Sequence, residues 1–173
     1  TLVLAACKDK QFTGAIKLAD KVDKDGNAIP NSAETLDPHQ LTNGYEAFML
    51  YCYGCHGDKG DGFGPAAPGM RPPPRNFVQA LFKFPGTAFG QLPSDAALDR
   101  TIRRGLHGTP MLAWDIPDIE RRALISYMKT LSPRWKSDGV PPTLRPSPDP
   151  GEGKTNDKAR APVSPIDFVD TRE

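Results

Sequence analysis

The sequence of 173 residues lacks several features that mark other classes of protein. Its 22 Lys and Arg nearly balance its 21 Asp and Glu, and the formal net charge of +1 gives no general field for holding a nucleic-acid backbone. The chain has no apolar run long enough to span a bilayer, no alternating strand pattern longer than four residues and no internal repeat. These absences argue against nucleic-acid binding, a membrane-spanning helix and a β-rich or repeat architecture.

Regular secondary structure is also limited, because 19 prolines and 16 glycines interrupt a chain that is only 38% hydrophobic. Residues 1–40 are polar and show no apolar period, so we expect the remnant of a signal region followed by a flexible tether. Residues 133–173 hold eight prolines in 41 positions, and we expect an extended tail that orders only on a partner. The function is expected in the domain between them, residues 41–132.

Three helices are predicted within residues 41–132. Capping residues and the 3.6-residue spacing of apolar side chains give their limits. The first runs from Thr42 or Asn43 to about Cys52 and the second from Ser94 to Gly105. Asp115 and Pro117 open the third, which ends at Ser132-Pro133. The expected fold class is all-α, with long loops and a core so small that it needs an additional staple.

The segment Cys52-Tyr53-Gly54-Cys55-His56 provides that staple. Its spacing is the one used for c-type haem attachment, in which two thiols add to the haem vinyl groups and the histidine ligates the iron. One alternative is a zinc site that uses Cys52, Cys55 and two of His39, His56 and His107, and another is a redox-active Cys-x-x-Cys pair. Zinc lacks a second Cys pair and the redox motif lacks its βαβ context, so haem attachment is favoured.

The iron of a haem held in this way needs a sixth ligand, and the candidates downstream are Met70, His107, Met111 and Met128. Met128 lies on the apolar side of the third helix and is expected to pack in the core. Met70 follows His56 too closely to reach the opposite haem face. Met111 ends the loop Gly108-Thr109-Pro110-Met111, whose glycine and proline suit a turn that presents the thioether, so it is the expected ligand, with His107 next.

The stretch from Gly44 to Leu131 resembles a class I monohaem cytochrome c. The residues that carry the resemblance are Cys52, Cys55 and His56, the Gly64-Pro65 pair, the Gly-Thr-Pro-Met loop, and a final helix with Leu124 and Tyr127. It implies that the Pro65 carbonyl accepts the second ring N–H of His56. It also implies that Gly44 and Phe48 face Leu124 and Tyr127 where the first and last helices cross.

With both His56 and Met111 on the iron, no coordination position stays open, so the expected function is one-electron transfer and not catalysis. Trp114, Arg75 and Asn76 are candidates to hold the haem propionates. Two other functions remain: a haem c sensor or peroxidase-like enzyme with an open sixth position, and a zinc-stabilised binding module.

The resemblance also implies a location on the periplasmic side of a bacterial membrane. Cys7 ends the segment Leu4-Ala5-Ala6-Cys7, which resembles a lipoprotein signal box, and an acylated Cys7 would anchor the chain to the membrane. The alternative is a free thiol at Cys7. The expected partners are electron donor and acceptor proteins of a respiratory or photosynthetic chain, including a membrane complex of which this protein is a subunit or close neighbour.

Overall fold

Five helices and one small antiparallel sheet form the computed structural model, which describes residues 10–83, 87 and 90–142. The strands are β1 (Ile16–Lys17) and β2 (Thr35–Leu36), with Ile16 opposite Leu36. The helices are α1 (Pro38–Tyr51), α2 (Tyr53–His56), α3 (Asp95–Arg104), α4 (Asp118–Thr130) and α5 (Arg134–Ser137). This architecture confirms the predicted all-α class. None of the described helices combines the length and apolar character needed to cross a bilayer.

Helix α1 begins earlier than the sequence analysis predicted. The carboxylate of Asp37 accepts hydrogen bonds from the two N–H groups that follow Pro38, at 2.9 and 3.0 Å. An aspartate cap followed by proline in the first turn is a favourable helix start. Thr42 and Asn43 therefore lie inside the helix, and the prediction that one of them caps it is wrong. The Thr42 hydroxyl donates instead to the carbonyl of Pro38, at 3.0 Å.

The predicted limits of α3 are confirmed, and those of α4 are confirmed to within two residues. The Ser94 hydroxyl accepts the N–H of Ala97 at 3.3 Å, and Gly105 follows the last residue of α3 with a φ of 65°. A glycine in this conformation ends a helix without the steric cost that a side chain would add. Helix α4 starts directly after Pro117 and ends at Thr130.

The core lies where α1 crosses α4. Phe48 and Leu124 are fully buried, and the rings of Phe48 and Tyr127 lie 5.3 Å apart. Gly44 allows this approach, because a Cβ atom at this position would overlap the Ala123 carbonyl and lie 2.9 Å from the Cβ of Tyr127. The predicted contact of Gly44 and Phe48 with the last helix is confirmed.

The N-terminal segment packs on this core, so the expected flexible tether is wrong for residues 10–40. The ring of Phe12 meets Tyr127 edge-on at 6.0 Å, and Leu18 and Leu36 are buried. These apolar residues are spaced too irregularly to show a helical or strand period, so the sequence pattern does not predict that they pack on the core. Residues 1–9, with Cys7, lie outside the described residues.

The C-terminal segment likewise begins as ordered structure. Residues 134–137 form α5 and Trp135 is buried, so the expected extended tail is wrong at its start; residues 143–173 lie outside the described residues. The N–H of Ala19 donates to the carbonyl of Trp135 at 2.9 Å, and the N–H of Val22 donates to the carbonyl of Val140 at 3.2 Å. The two flanking segments are thus hydrogen-bonded to each other.

A buried ammonium group ties these segments to the helices. Nζ of Lys129 on α4, whose side chain is only 2% exposed, lies 2.6 Å from a carboxylate oxygen of Glu34 and 2.7 Å from one of Asp95. The same group lies 5.9 Å from the centre of the Trp135 ring. A buried charge needs such partners because its desolvation is costly. Lys129 therefore links the N-terminal segment, α3, α4 and α5.

Substitution of Gly44 by Ala should destabilise the protein by about 3 kcal/mol, at the upper end of the usual cost of overpacking, because the added methyl meets backbone that cannot move aside. The free energy of unfolding from urea titration measures this. Gly54→Ala is the matched control, since a Cβ there meets nothing within 4 Å. Equal unfolding midpoints for the two variants would contradict the role of Gly44.

Candidate haem-attachment site

The two thiols and the imidazole lie on the attachment turn, residues 52–56, which consists of Cys52 and the short helix α2. Cys52, Cys55 and His56 occupy positions i, i+3 and i+4, and the His56 N–H donates to the Cys52 carbonyl at 2.9 Å. Side chains with this spacing are neighbours on a helix surface. Both cysteines are half-buried and neither forms a disulfide. The turn therefore offers two free thiols beside one imidazole.

The loop that follows, residues 57–66, fixes this turn by pairing its carbonyl groups. Carbonyls at the end of a helix have no partner within the helix and need one from outside. Here the loop supplies four N–H groups at 2.8–3.1 Å: Gly57 to Tyr53, Ala66 to Gly54, Gly64 to Cys55, and Gly62 to His56. The attachment turn is consequently held at every carbonyl from 53 to 56.

The imidazole of His56 is oriented by the segment after the three prolines. Its Nδ1 lies 3.0 Å from the carbonyl oxygen of Arg75. Because a carbonyl only accepts hydrogen bonds, Nδ1 carries the proton and Nε2 keeps its lone pair. The ring also stacks on Phe77, with centres 4.3 Å apart and planes 19° from parallel. Burial lowers the pKa of His56, so the neutral form that can bind a metal is favoured.

The partner expected for His56 was the carbonyl of Pro65, and that expectation is wrong. Pro65 is exposed, and the carbonyl beside Nδ1 belongs to Arg75. Gly64 and Ala66, on either side of Pro65, instead bond back to the attachment turn. The Gly64-Pro65 pair predicts that the proline nearer in sequence supplies the acceptor for His56. In the structure the chain returns to His56 only after the later prolines, 72–74.

The two alternatives to haem gain no support from the geometry. Burial, with the nearby Cys55, raises the pKa of Cys52 to about 12, whereas a redox-active cysteine needs a lowered pKa. Within residues 10–83, 87 and 90–142, no three His, Cys, Asp or Glu side chains are grouped to hold a metal ion. His39 and His107, the remaining zinc candidates, are both exposed.

The loop carrying Met111 is held by its own hydrogen bonds. The Thr109 hydroxyl donates to the Leu106 carbonyl at 2.7 Å and accepts the Met111 N–H at 3.2 Å. The Leu106 N–H donates to the Met111 carbonyl at 3.0 Å. Further along, the half-exposed ring of Trp114 meets Tyr51 edge-on at 5.6 Å, next to Cys52. The segment after this loop, at Trp114, thus lies beside the attachment turn. The role of Met111 as iron ligand remains a prediction.

The other predicted residues are placed differently. Met128 is buried among core residues, as expected, whereas Met70 is half-buried in a loop. The side-chain oxygen of Asn76 accepts the N–H of Gln79 at 3.0 Å, so this side chain shapes a turn. Contacts of Arg75, Asn76 and Trp114 with propionates remain predictions. Phe77, which the sequence analysis missed, is the first aromatic residue after the prolines and lies against His56.

These residues fit a covalently bound haem. The two thiols can form thioethers, and Nε2 of a neutral imidazole in a fixed orientation is a suitable iron ligand. When bound, haem c supplies an iron that changes its charge by one electron. A helical turn with this donor set defines a c-type haem protein.

The sequence profile of the family "Cytochrome c" matches residues 41–132, which are 92 of the 173 residues, and the chain belongs to this family. The cofactor of this family is covalently attached haem c. The matched segment coincides with the predicted central domain. A search of curated proteins finds no match.

The solved structures that resemble the chain include the following three. A chain of the reducing HAO-like protein complex of Kuenenia stuttgartiensis is 32% identical, with a TM-score of 0.56 over 58% of this chain and 46% of that one. Cytochrome cL of Methylophaga aminisulfidivorans is 21% identical, with a TM-score of 0.42, and 54% of each chain is covered. The PsbV2 cytochrome of Thermosynechococcus elongatus is 16% identical, with a TM-score of 0.38 over 68% of this chain and 82% of that one. The chain spans about half the length of the first two.

Substitution of Gly64 by Ala should disturb haem attachment, because its Cβ would lie 2.5 Å from the Tyr53 carbonyl oxygen and 2.6 Å from the Cys55 carbonyl carbon. The expected cost is about 1–3 kcal/mol, concentrated in the attachment turn. Covalent haem per folded chain, measured after acid acetone extraction, should fall. Gly14→Ala, whose Cβ meets nothing within 4 Å, should retain full attachment; a loss shared by both variants would count against this effect.

Proposed function

We propose that the protein is a one-electron carrier in which Cys52 and Cys55 attach the haem and His56 and Met111 hold its iron. The observation that carries this proposal is the bond from Nδ1 of His56 to the Arg75 carbonyl, which leaves Nε2 unprotonated, with a lone pair that can bind iron. The well-bonded loop around Met111 supports the second ligand. With both positions filled, the protein binds no substrate at the iron.

Three further residues complete the proposed cofactor site. The indole N–H of Trp114, the guanidinium of Arg75 and the amide of Asn76 are donors to the propionates. Trp114 is supported by its contact with Tyr51, which precedes the attachment turn. Among the described residues the NH₂ group of Asn76 has no hydrogen-bond acceptor, so it can donate to a ligand.

The proposed partners are a donor and an acceptor protein on the periplasmic side of a bacterial membrane. The chain of Kuenenia stuttgartiensis that resembles this one belongs to an HAO-like protein complex, which supports work in an assembly with redox proteins. The motif at Cys7 supports an acylated anchor, and the composition of residues 143–173 supports contact with a neighbouring subunit of a membrane complex.

Reduced and oxidised spectra test the function. A low-spin spectrum with sharp α and Soret bands is expected, with a weak sulfur-to-iron band near the red end. Met111→Ala should remove the weak band and lower the reduction potential, because a thioether favours the ferrous state. Met70→Ala, which changes another half-buried loop methionine, is the matched control and should change neither.

The alternatives give different spectra. A high-spin ferrous band in the unaltered protein would indicate an open sixth position and favour the sensor or peroxidase-like enzyme. A colourless protein from a host that matures c-type cytochromes would favour the zinc module. Loss of the weak band in Met70→Ala, with Met111→Ala unchanged, would transfer the ligand role to Met70.

The anchor is tested separately by Cys7→Ser. Cells that carry out lipoprotein processing should hold the unaltered protein in the membrane fraction and the variant in the soluble periplasmic fraction, because acyl chains supply the membrane affinity. Immunoblots of the two fractions measure this. An identical distribution of both proteins would refute acylation at Cys7 and leave electron transfer unaffected.

A further inference from the structure

Arg134, in the short helix α5 beyond the matched segment, contacts two distant carbonyl groups. Its Nη1 donates to the Ala80 carbonyl and its Nη2 to the Gly90 carbonyl, both at 2.9 Å. Its Nε donates to Asp138 at 2.7 Å. The guanidinium therefore joins Ala80 to Gly90 while a carboxylate fixes its own position.

Ala80 ends the turn that begins at Phe77. The Ala80 N–H donates to the Phe77 carbonyl at 3.1 Å, and Ala80 is fully buried. Its φ of 48° lies in the left-handed region, which a residue with a side chain adopts only when its surroundings require it. The bond from Arg134 is one such requirement, so removal of the guanidinium frees the turn to relax.

The same turn is in contact with the haem-binding histidine. Phe77 stacks on the His56 ring, and its N–H donates to the Gly60 carbonyl at 2.7 Å. Two residues earlier, the Arg75 carbonyl accepts the His56 Nδ1–H. The segment 75–80 thus orients the imidazole by a hydrogen bond and a ring, and Arg134 holds the end of that segment.

We propose that Arg134 is a positioning residue for His56, acting through Ala80 and the Phe77 turn. The proposal rests on the proposed function in that His56 is the haem ligand. A shift of the Phe77 ring would admit water to the imidazole. Water favours the oxidised, more highly charged state of the site and lowers the reduction potential.

We expect that lysine at position 134 cannot take over the role of Arg134, because a single ammonium cannot reproduce the planar pair of hydrogen bonds that reaches both carbonyls. Arg134→Lys keeps the charge and much of the stem, so it serves where Arg134→Ala fails to fold. Lys136→Ala, on the exposed side of the same helix, is the matched control. Asp138→Asn removes the ion pair and keeps both carbonyl bonds.

The test compares these variants of the full haem-loaded protein in two measurements. Hydrogen exchange of the Phe77 and Ala80 amides should accelerate roughly tenfold or more in Arg134→Lys, since two charge-assisted hydrogen bonds are lost or weakened. The reduction potential should fall in the same variant. Lys136→Ala should leave the potential unchanged. Asp138→Asn, which removes the carboxylate that holds the guanidinium, should lower the potential less than Arg134→Lys does.

Two results would overturn the proposal. One is unchanged amide exchange in Arg134→Lys. The other is a lower unfolding free energy with the potential unaltered, which is the mark of a purely structural contact. A colourless unaltered protein would refute the proposed function instead, and amide exchange together with the NMR shift of the His56 ring would then decide whether Arg134 positions that ring.

Discussion

The hydrogen bond from Nδ1 of His56 to the Arg75 carbonyl determines what the site can bind, because it leaves Nε2 with the lone pair that can bind a metal. This geometry has two requirements. The attachment turn must be rigid, which the four N–H groups of the following loop achieve. The chain must also return to His56 after its three prolines, which requires the Phe77 turn to stay in place. The loop after the attachment turn and the Phe77 turn therefore hold His56 in this orientation.

The helices provide the frame on which this site is built. Helix α1 leads directly into the attachment turn, so its packing on α4 sets where the thiols lie. That packing depends on Gly44, whose missing side chain lets the two backbones meet. The flanking segments then add cover through Phe12, Leu18 and Trp135, and the Lys129 ammonium joins them to the helices. The family domain and its extensions share one core.

The sequence predicts the parts of this structure that depend on local chemistry. Capping at Ser94, termination at Gly105 and the apolar side of α4 are set by neighbouring residues, and the Cys-x-x-Cys-His spacing is a local signal as well. The hydrogen-bond acceptor for His56 depends on where a proline-rich loop returns to the histidine, which is not a local property. The resemblance therefore implies Pro65, whereas the acceptor in the structure is Arg75. The N-terminal segment was missed because its apolar residues pack singly, through contacts between residues distant in sequence.

The Lys129 ion pairs also bear on how such a domain evolves. Cutting the chain at residue 41 would remove Glu34 and leave the buried ammonium with Asp95 as its remaining carboxylate partner among the described residues. The same cut would remove Leu36 from the interior of the protein. The haem unit is therefore not portable: recombination that grafts it onto another gene must carry both flanks with it, and its boundaries in sequence are not its boundaries in stability.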